Sequence, residues 1–359
     1  MYQPPWSMMN NDFNQESGGN RNSGEPELVV GLDAGGTRTR AVLAAAADGR
    51  VLGEGSAGPG NALTVPLPRL TDHLAEAVAQ AVPASARGRV AAVAGGFAGA
   101  TGATEDDPGR LNALTALTAA LRRVGIATGS IGISSDIEAA FASAPGAPAD
   151  GLALVAGTGA VAMRITGRRC TATVDGDGWL LGDDGSGFWI GREAVRAALR
   201  MADGRGGATA LAVTVGRALG LPGEVLPYGG SGAPEKSYEG APDWSRARRE
   251  AYRMRLLPAV MAEPPTRLAR LAPLVAESAR EKDPVAEAIL VEAVARLTDT
   301  IRALEPRPGE RVVATGGLLG PDGPLTAPLT AALRNHLGLT LDWVADGCGG
   351  AVALARLLV

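Results

Sequence analysis

The feature that most constrains the fold is a strand–glycine turn–strand pattern that occurs twice, about 125 residues apart. The first copy reads VVGLDAGGTRTRAVLA over residues 29–44, and the second reads GLALVAGTGAVAMRITG over residues 151–167. In each copy two apolar runs flank a turn with almost no side chains, which is typical of paired antiparallel strands. The repeat predicts two related α/β halves that face each other, with the glycine turns of both halves lining a cleft between them.

The residues around the two copies predict the remaining elements. The first 145 residues read β-β-β-α-β-α-β-α, with helices over 67–82 and 109–123 and a third helix that starts near Asp136. The helix over 67–82 places a set of apolar residues on one face: Leu67, Leu70, Leu74, Ala77 and Val78. In the second half we expect a long helix after the glycine-rich stretch 175–187, and two later helices separated by a break near Lys282–Pro284. A strand, a glycine turn and the start of a helix are expected at 311–320. The chain should close with a strand, a loop and a helix.

Length and composition set the organisation of the chain. Its 359 residues suffice for two domains. We predict a disordered tail at 1–26, an N-terminal domain at 27–146 and a C-terminal domain at 147–359 whose last helix packs back across the hinge. The tail is rich in Asn, Ser, Gly and Pro, and a second Gly/Pro/Ser-rich stretch lies at 229–242. Glycine, at 50 residues, is about twice its usual share of roughly 7% and is clustered, which indicates tight turns and close backbone approaches.

Several functional classes are disfavoured. The net charge is −4 and the basic residues are dispersed, so we expect no nucleic-acid partner. The two cysteines, Cys170 and Cys348, and the two histidines predict neither a disulfide scaffold nor a cysteine- or histidine-rich metal site. No apolar run reaches about 18 residues and no signal peptide is recognisable, so we expect a soluble cytoplasmic protein without a membrane partner.

The first glycine turn has the chemistry of a phosphate site. Its backbone N–H groups form a nest for phosphate oxygens, and Thr37 and Thr39 add hydroxyl donors. Asp33 would repel a phosphate unless a cation intervened, and Mg²⁺ suits a carboxylate beside phosphates. The alternative is a plain β-hairpin with an aspartate near its turn.

Two common nucleotide motifs are absent. The GTG at 157–159 is followed by a strand rather than the helix that a Rossmann turn requires, and no GK[ST] tripeptide occurs. A bound nucleotide would therefore be held by the paired hairpins. The glycines at 316–317 follow a strand and open a helix, where they would border the nucleotide's base and ribose.

Asp136 is the candidate general base. It stands where a strand ends and a helix begins, and phosphoryl transfer needs a carboxylate that accepts the hydroxyl proton. The alternative is that Asp136 caps the helix. Glu138 points away from Asp136 on a helix and is the weaker candidate.

The stretch GDDGSGFWIG, residues 182–191, also has two interpretations. Ser186 is a sufficient helix cap, with Asp183 and Asp184 near the positive helix end. Alternatively, Asp183 binds sugar hydroxyls while Trp179 and Trp189 stack on a sugar face. The three glycines at 347, 349 and 350 precede the last helix, where close packing is the simpler explanation.

In order along residues 28–359, these segments resemble the N-acetylglucosamine kinase-like branch of the BadF/BadG/BcrA/BcrD ATPase family. The resemblance rests on GLDAGGTRTRAVL, SDIEAAFA, GLALVAGTGAVA, DGWLLGDDGSGFWIG and VVATGGLLG. It implies two facing RNase H-like domains of the actin–hexokinase–Hsp70 superfamily with mixed sheets and an interdomain cleft. The cofactors implied are ATP and Mg²⁺, the substrate is an amino sugar, and a homodimer is expected.

The resemblance also assigns roles to matching residues. Asp136 would deprotonate the sugar 6-hydroxyl, Asp33 would help to hold Mg²⁺, and Gly316 and Gly317 would border the adenosine. The sugar contacts would be Asn61 in GPGNAL, Asp136, Thr158 and Asp183. The phosphates would lie against Gly35, Gly36, Thr37, Gly157, Thr158 and Gly159.

The sequence departs from the family pattern at four positions. Ala160 stands where serine is usual, Val161 where animal kinases carry a sugar-contacting asparagine, Asp184 where glutamate is usual and Arg40 where lysine is common. These departures bear on discrimination of the N-acetyl group.

The expected activity is ATP-dependent phosphorylation of N-acetylglucosamine or glucosamine at the 6-hydroxyl. Two alternatives remain open, namely an ATPase that activates a reductase or dehydratase, and a non-catalytic sugar-binding sensor. Reductase activators of this fold hold an iron–sulfur cluster between two subunits through cysteines, and Cys170 and Cys348 do not resemble that pair.

Overall fold

The computed structural model describes residues 26–101, 106–227 and 244–359. The predicted tail lies outside these ranges except for its last residue, and the stretch at 229–242 lies wholly outside them. Among the described residues, no helix combines the length and apolar character needed to cross a membrane.

The first half contains a mixed five-stranded sheet of order β3-β2-β1-β4-β5. The central strand β1 pairs antiparallel with β2 and parallel with β4, so both of its edges are hydrogen-bonded. This position explains why β1 is an almost unbroken apolar run. The strands are β1 Leu28–Ala34, β2 Thr39–Ala45, β3 Val51–Ala57, β4 Val90–Phe97 and β5 Ser130–Ser135.

The second half repeats this sheet, with order β10-β9-β6-β7-β8. Strand β6 occupies the position of β1: it pairs antiparallel with β7 and parallel with β9. The prediction of two related halves, each built on a strand–turn–strand unit, is confirmed. The strands are β6 Gly151–Ala156, β7 Ala160–Thr166, β8 Arg169–Asp175, β9 Arg311–Thr315 and β10 Thr340–Trp343.

The helices begin and end close to where the sequence signals place them. Helix α2 begins after the cap Asp107 and ends at Gly125, which has a positive φ of 81°. The predicted break near Lys282–Pro284 is confirmed, because Asp283 caps a new helix there. The helices are α1 Leu67–Ala81, α2 Pro108–Val124, α3 Asp136–Ala142, α4 Gly178–Leu181, α5 Gly187–Ala202, α6 Leu211–Ala218, α7 Arg246–Met261, α8 Ala272–Arg280, α9 Pro284–Arg302, α10 Thr326–Leu337 and α11 Cys348–Arg356.

Two helices leave the half whose strand they follow. Helix α3 follows β5 of the first sheet, yet its Phe141 packs with Ala153 and Val313 of the second sheet. Helix α11 follows β10 of the second sheet, yet its Val352 packs with Val29 of the first. The chain thus crosses between the halves twice, and α3 and α11 contact each other where it crosses.

Three local expectations are wrong. The turn at Gly316–Gly317 does not open a helix, because α10 begins only at Thr326, after a further turn. Gly349 and Gly350 lie inside α11 rather than before it, because the helix begins at Cys348. On α1, Leu67 is 38% exposed, while the other four residues of the predicted apolar face are buried.

Candidate active site

Asp33 lies at the carboxyl end of the central strand β1, where the buried run reaches the edge of the sheet. Arg40 stands directly opposite it in the antiparallel register of β2. One guanidinium nitrogen of Arg40 lies 2.9 Å from Oδ2 of Asp33, and another lies 2.6 Å from Oδ2 of Asp346, just before α11. Arg40 therefore ties the candidate metal ligand to the last helix, an ion pair that sequence analysis missed.

The donor set at Asp33 fits a hard cation. Asp33, Asp346 and Cys348 each bring one ligand atom within 4.8 Å of the others. Burial and the neighbouring carboxylates raise the pKa of the Cys348 thiol to about 12, so it stays protonated and the two carboxylates are the suitable ligands. Because Arg40 occupies Oδ2 of Asp33, Oδ1 is the oxygen of this carboxylate that lies outside the ion pair.

The first glycine turn is exposed at its tip. Gly36 and Thr37 are both exposed, and the amide of Gly35 closes the turn on the carbonyl of Arg38 at 3.0 Å. Thr39 does not present the hydroxyl donor to phosphate that the sequence predicts. Its side chain is fully buried, and its hydroxyl has no hydrogen-bond partner among the described residues.

The GPGN loop, residues 58–61, packs against the base of this turn. The amide of Gly60 donates to the carbonyl of Gly35 at 2.9 Å, and a Cβ on Gly60 would lie 2.4 Å from the Thr39 hydroxyl. The side-chain oxygen of Asn61 accepts from the amides of Leu63 and Thr64 at 2.9 and 3.0 Å. The amide nitrogen of Asn61 is thus the part of the side chain left for a ligand.

Asp136 is the first residue of α3, and the interpretation that it caps the helix is wrong. Ser135 is the cap, and Ser135 and Glu138 form a reciprocal capping box. The Asp136 carboxylate instead accepts from the amide of Ile137 at 3.0 Å. Burial raises its pKa, and the negative charge of Asp33 raises it further, so these two candidate residues lie within electrostatic reach of each other.

The second glycine turn rests on the start of α5. The carbonyls of Gly157 and Thr158 accept from the amides of Gly187 and Phe188 at 2.8 and 3.0 Å. Gly316 lies beneath the turn with a φ of 108°, and a Cβ there would lie 2.3 Å from the carbonyl oxygen of Ala156. The structure therefore places Gly157–Gly159 and Gly316–Gly317 side by side.

Asp183 is bound to this second turn. Its Oδ1 accepts from the amide of Ala160 at 3.0 Å, and a Cβ on Gly159 would lie 2.5 Å from the same oxygen. Asp175, which sequence analysis missed, holds the loop by accepting from the amides of Asp183 and Asp184 at 2.7 and 2.8 Å. Burial, and then the charge of Asp175, raise the pKa of Asp183.

The remaining candidates near α5 have structural partners. Ser186 caps α5, as the simpler interpretation predicted, by accepting from the amide of Trp189. Trp189 is 4% exposed and belongs to the core, which leaves Trp179, 39% exposed, as the tryptophan that a sugar could reach. Asp184 pairs with Arg296 at 2.9 Å. Ala160 is 2% exposed and packs into the core.

Solved structures share this fold. A proposed N-acetylglucosamine kinase from Porphyromonas gingivalis superposes with a TM-score of 0.63 at 22% identity, covering 92% of this chain and 99% of that one. A proposed N-acetylglucosamine kinase from Chromobacterium violaceum gives a TM-score of 0.59 at 23% identity with the same coverage. These likenesses and the two matching sheets confirm the predicted fold class, an α/β fold of two halves that each contain a mixed five-stranded sheet.

The sequence comparisons agree with the fold. No curated protein matches the chain. The model of one family matches residues 30–337, which span both glycine turns, Asp136 and the glycine pair at 316–317. The chain belongs to the BadF/BadG/BcrA/BcrD ATPase family.

Proposed function

We propose that the protein is an ATP-dependent amino-sugar kinase that transfers the γ-phosphoryl group to the 6-hydroxyl of N-acetylglucosamine or glucosamine. The observation that carries the proposal is the Asp136 carboxylate, partly buried at the start of α3 with a raised pKa and within the electrostatic reach of Asp33. Two structural neighbours described as proposed N-acetylglucosamine kinases support the choice of substrate class.

Asp136 would act as the general base. A carboxylate whose pKa lies above the ordinary aspartate value is a better proton acceptor. Because the capping box of Ser135 and Glu138 satisfies the helix end, the Asp136 carboxylate is available to the acceptor alcohol.

The two glycine turns would bind the phosphates. The backbone amides of Gly36 and Thr37 and those of Thr158 and Gly159 would donate to phosphate oxygens. Gly35 and Gly157, whose amides close their own turns, would lie against the phosphates without donating. Asp33 would hold Mg²⁺ through Oδ1, and the ion when bound neutralises charge on the β- and γ-phosphates. Gly316 and Gly317 would border the adenosine.

Asn61 and Asp183 would orient the sugar, together with Thr158. Asn61 offers its side-chain amide nitrogen, since its oxygen is used within its own loop. Asp183 keeps Oδ2 for a sugar hydroxyl while Oδ1 fixes the second turn. Asp183 would therefore contact both the sugar and the turn that binds the phosphates. In this arrangement, alanine at position 160 in place of the usual serine removes no phosphate contact, because this side chain points into the core.

The test is a coupled ADP-release assay over a panel of hexoses and amino sugars, with wild type and Asp136→Asn. We expect ADP release that depends on an amino sugar and falls about 10²- to 10⁴-fold in the variant. Asp72→Asn is the matched control, since Asp72 is an exposed residue paired with Arg123 and should leave the rate unchanged. Near-normal turnover in Asp136→Asn would show that Asp136 is not the general base. A wild type that is inactive on every sugar would refute the proposal that the protein is a sugar kinase. A homodimer in the cytoplasm stays a prediction, and sedimentation would test the oligomeric state.

A further inference from the structure

Glu138 is one of two carboxylates that are buried among the described residues, the other being Asp283. Asp283 caps α9 and also binds the start of α6. The side chain of Glu138 is 2% exposed, yet Ser135 already provides a cap for α3. Burying a carboxylate is costly unless its oxygens are well satisfied, so its contacts need an explanation.

The two oxygens of Glu138 bind backbone from different sheets. Oε2 accepts from the amide of Ser135, the last residue of β5, at 2.9 Å. Oε1 accepts from the amide of Cys170 in β8, also at 2.9 Å. Strand β5 forms one edge of the first sheet and β8 forms one edge of the second, so a single side chain joins these two edges.

Arg169 of β8 reinforces this junction. Its guanidinium lies 3.8 Å from Oε2 of Glu138 and donates to the carbonyl of Ile133 in β5 at 3.3 Å. Because Arg169 is about half exposed, its ion pair contributes little stability by itself. Its effect is to hold the strand that leads into α3 against β8.

Asp136 lies between the two residues that this junction fixes, Ser135 and Glu138. The backbone of Asp136 is therefore held against β8, and its carboxylate is held in turn by the amide of Ile137, the next residue of the same turn. We propose that Glu138 is a positioning residue for the phosphoryl transfer, which places Asp136 by clamping the first turn of α3 to β8 of the other sheet; this rests on the kinase function proposed above. Misplacement of a catalytic group by about 1 Å is enough to cost roughly 10²-fold in rate.

The experiment uses the full chain with Glu138→Gln, which keeps the volume of the side chain and one acceptor oxygen but cannot accept from both amides. We expect kcat for the best amino sugar to fall at least ten-fold while KM for ATP changes less than two-fold. Nucleotide should bind with the wild-type stoichiometry, which shows that the loss of rate does not come from an unfolded fraction. Hydrogen–deuterium exchange of peptides covering 133–142 and 168–172 should quicken.

Glu310→Gln is the matched control, because Glu310 also accepts from a backbone amide, that of Arg307, and pairs with an arginine, Arg164. It should leave kcat and the exchange at 133–142 unchanged. Should Glu138→Gln fail to fold, Arg169→Met weakens the same junction from an exposed position, and a kcat at least two-fold below wild type is expected.

The outcomes separate the two proposals. An active wild type with unaltered kcat in Glu138→Gln, or in Arg169→Met where only that variant folds, overturns the positioning role and leaves the kinase intact. Unaltered exchange at 133–142 in Glu138→Gln overturns the clamp itself. A wild type that phosphorylates no sugar overturns the kinase proposal and this one with it.

Discussion

Gly350 of α11 lies in close backbone contact with α3, and these are the two helices at which the chain crosses between its halves. A Cβ at this position would lie 1.8 Å from the carbonyl oxygen of Ala139 in α3 and 2.6 Å from the amide nitrogen of Ser143, the residue that ends this helix. To reach ordinary contact at 3.4 Å, the helices would have to separate by roughly 1.5 Å. Backbone atoms cannot swing aside as a flexible side chain does, so Gly350→Ala should displace α11 from α3.

The size of the effect follows from these contacts. Overpacking of this kind costs about 1–3 kcal/mol. Separation would also break the 2.7 Å hydrogen bond from the Gly350 amide to the hydroxyl of Ser143, which contributes about 1 kcal/mol. The better helix propensity of alanine offsets up to about 1 kcal/mol of this loss. We therefore expect a net destabilisation of about 1–4 kcal/mol.

Gly349→Ala is the matched control on the same helix. A Cβ there would meet the hydroxyl of Ser143 at 3.7 Å, an ordinary contact. That variant should gain about 0.5–1 kcal/mol from helix propensity, so the two variants should differ by roughly 3–10 °C in thermal melting. Circular dichroism measures both curves on the full chain. Equal melting of the Gly350 and Gly349 variants would refute the reasoning.

Two further predictions concern titration and reactivity. A carboxyl group whose pKa is raised in the folded state lowers the stability of the protein as the pH rises through that pKa. Asp136→Asn removes this charge but keeps an oxygen for the amide of Ile137, so the variant should melt at a higher temperature than wild type at pH 7. The difference in melting temperature should disappear toward about pH 4. Thermal melts from pH 4 to 8 measure this, and a variant less stable than wild type at pH 7 would contradict it. Cys348 is 7% exposed, and the pKa of its thiol is raised to about 12. It should therefore resist iodoacetamide at pH 8 in the native chain and react once the chain is unfolded. Mass spectrometry of the labelled peptides measures this, and rapid labelling of the native chain would contradict it.

Local sequence signals were sufficient for the two strand–turn–strand units and for the start of α3. A buried strand flanked by glycine turns has few other solutions, and the acidic and hydroxyl residues at 134–138 mark a helix start in any context. The signals did not say which residue caps the helix. Ser135 and Asp136 are equally good caps by type, and the choice was made by Glu138, whose buried carboxylate completes the capping box only with Ser135.

Side-chain roles that depend on the partner surface were not predictable in the same way. Thr39 alternates with Arg40 on β2, and periodicity cannot tell which of the two faces the GPGN loop. In the structure, Thr39 is buried beneath Gly60, and Arg40 forms ion pairs with Asp33 and Asp346. The pair of Arg40 with Asp346 joins opposite ends of the chain, so no local window contains both residues.

The two crossings explain how the site is held together. Asp33 belongs to a strand of the first half, yet its ion-pair partner Arg40 is shared with Asp346, which leads into a helix supplied by the second half. Asp136 follows a strand of the first half, yet the turn that carries it is fastened by Glu138 to a strand of the second. Each proposed catalytic carboxylate therefore depends on contacts from both halves. A relative movement of the halves would therefore change the surroundings of both carboxylates together.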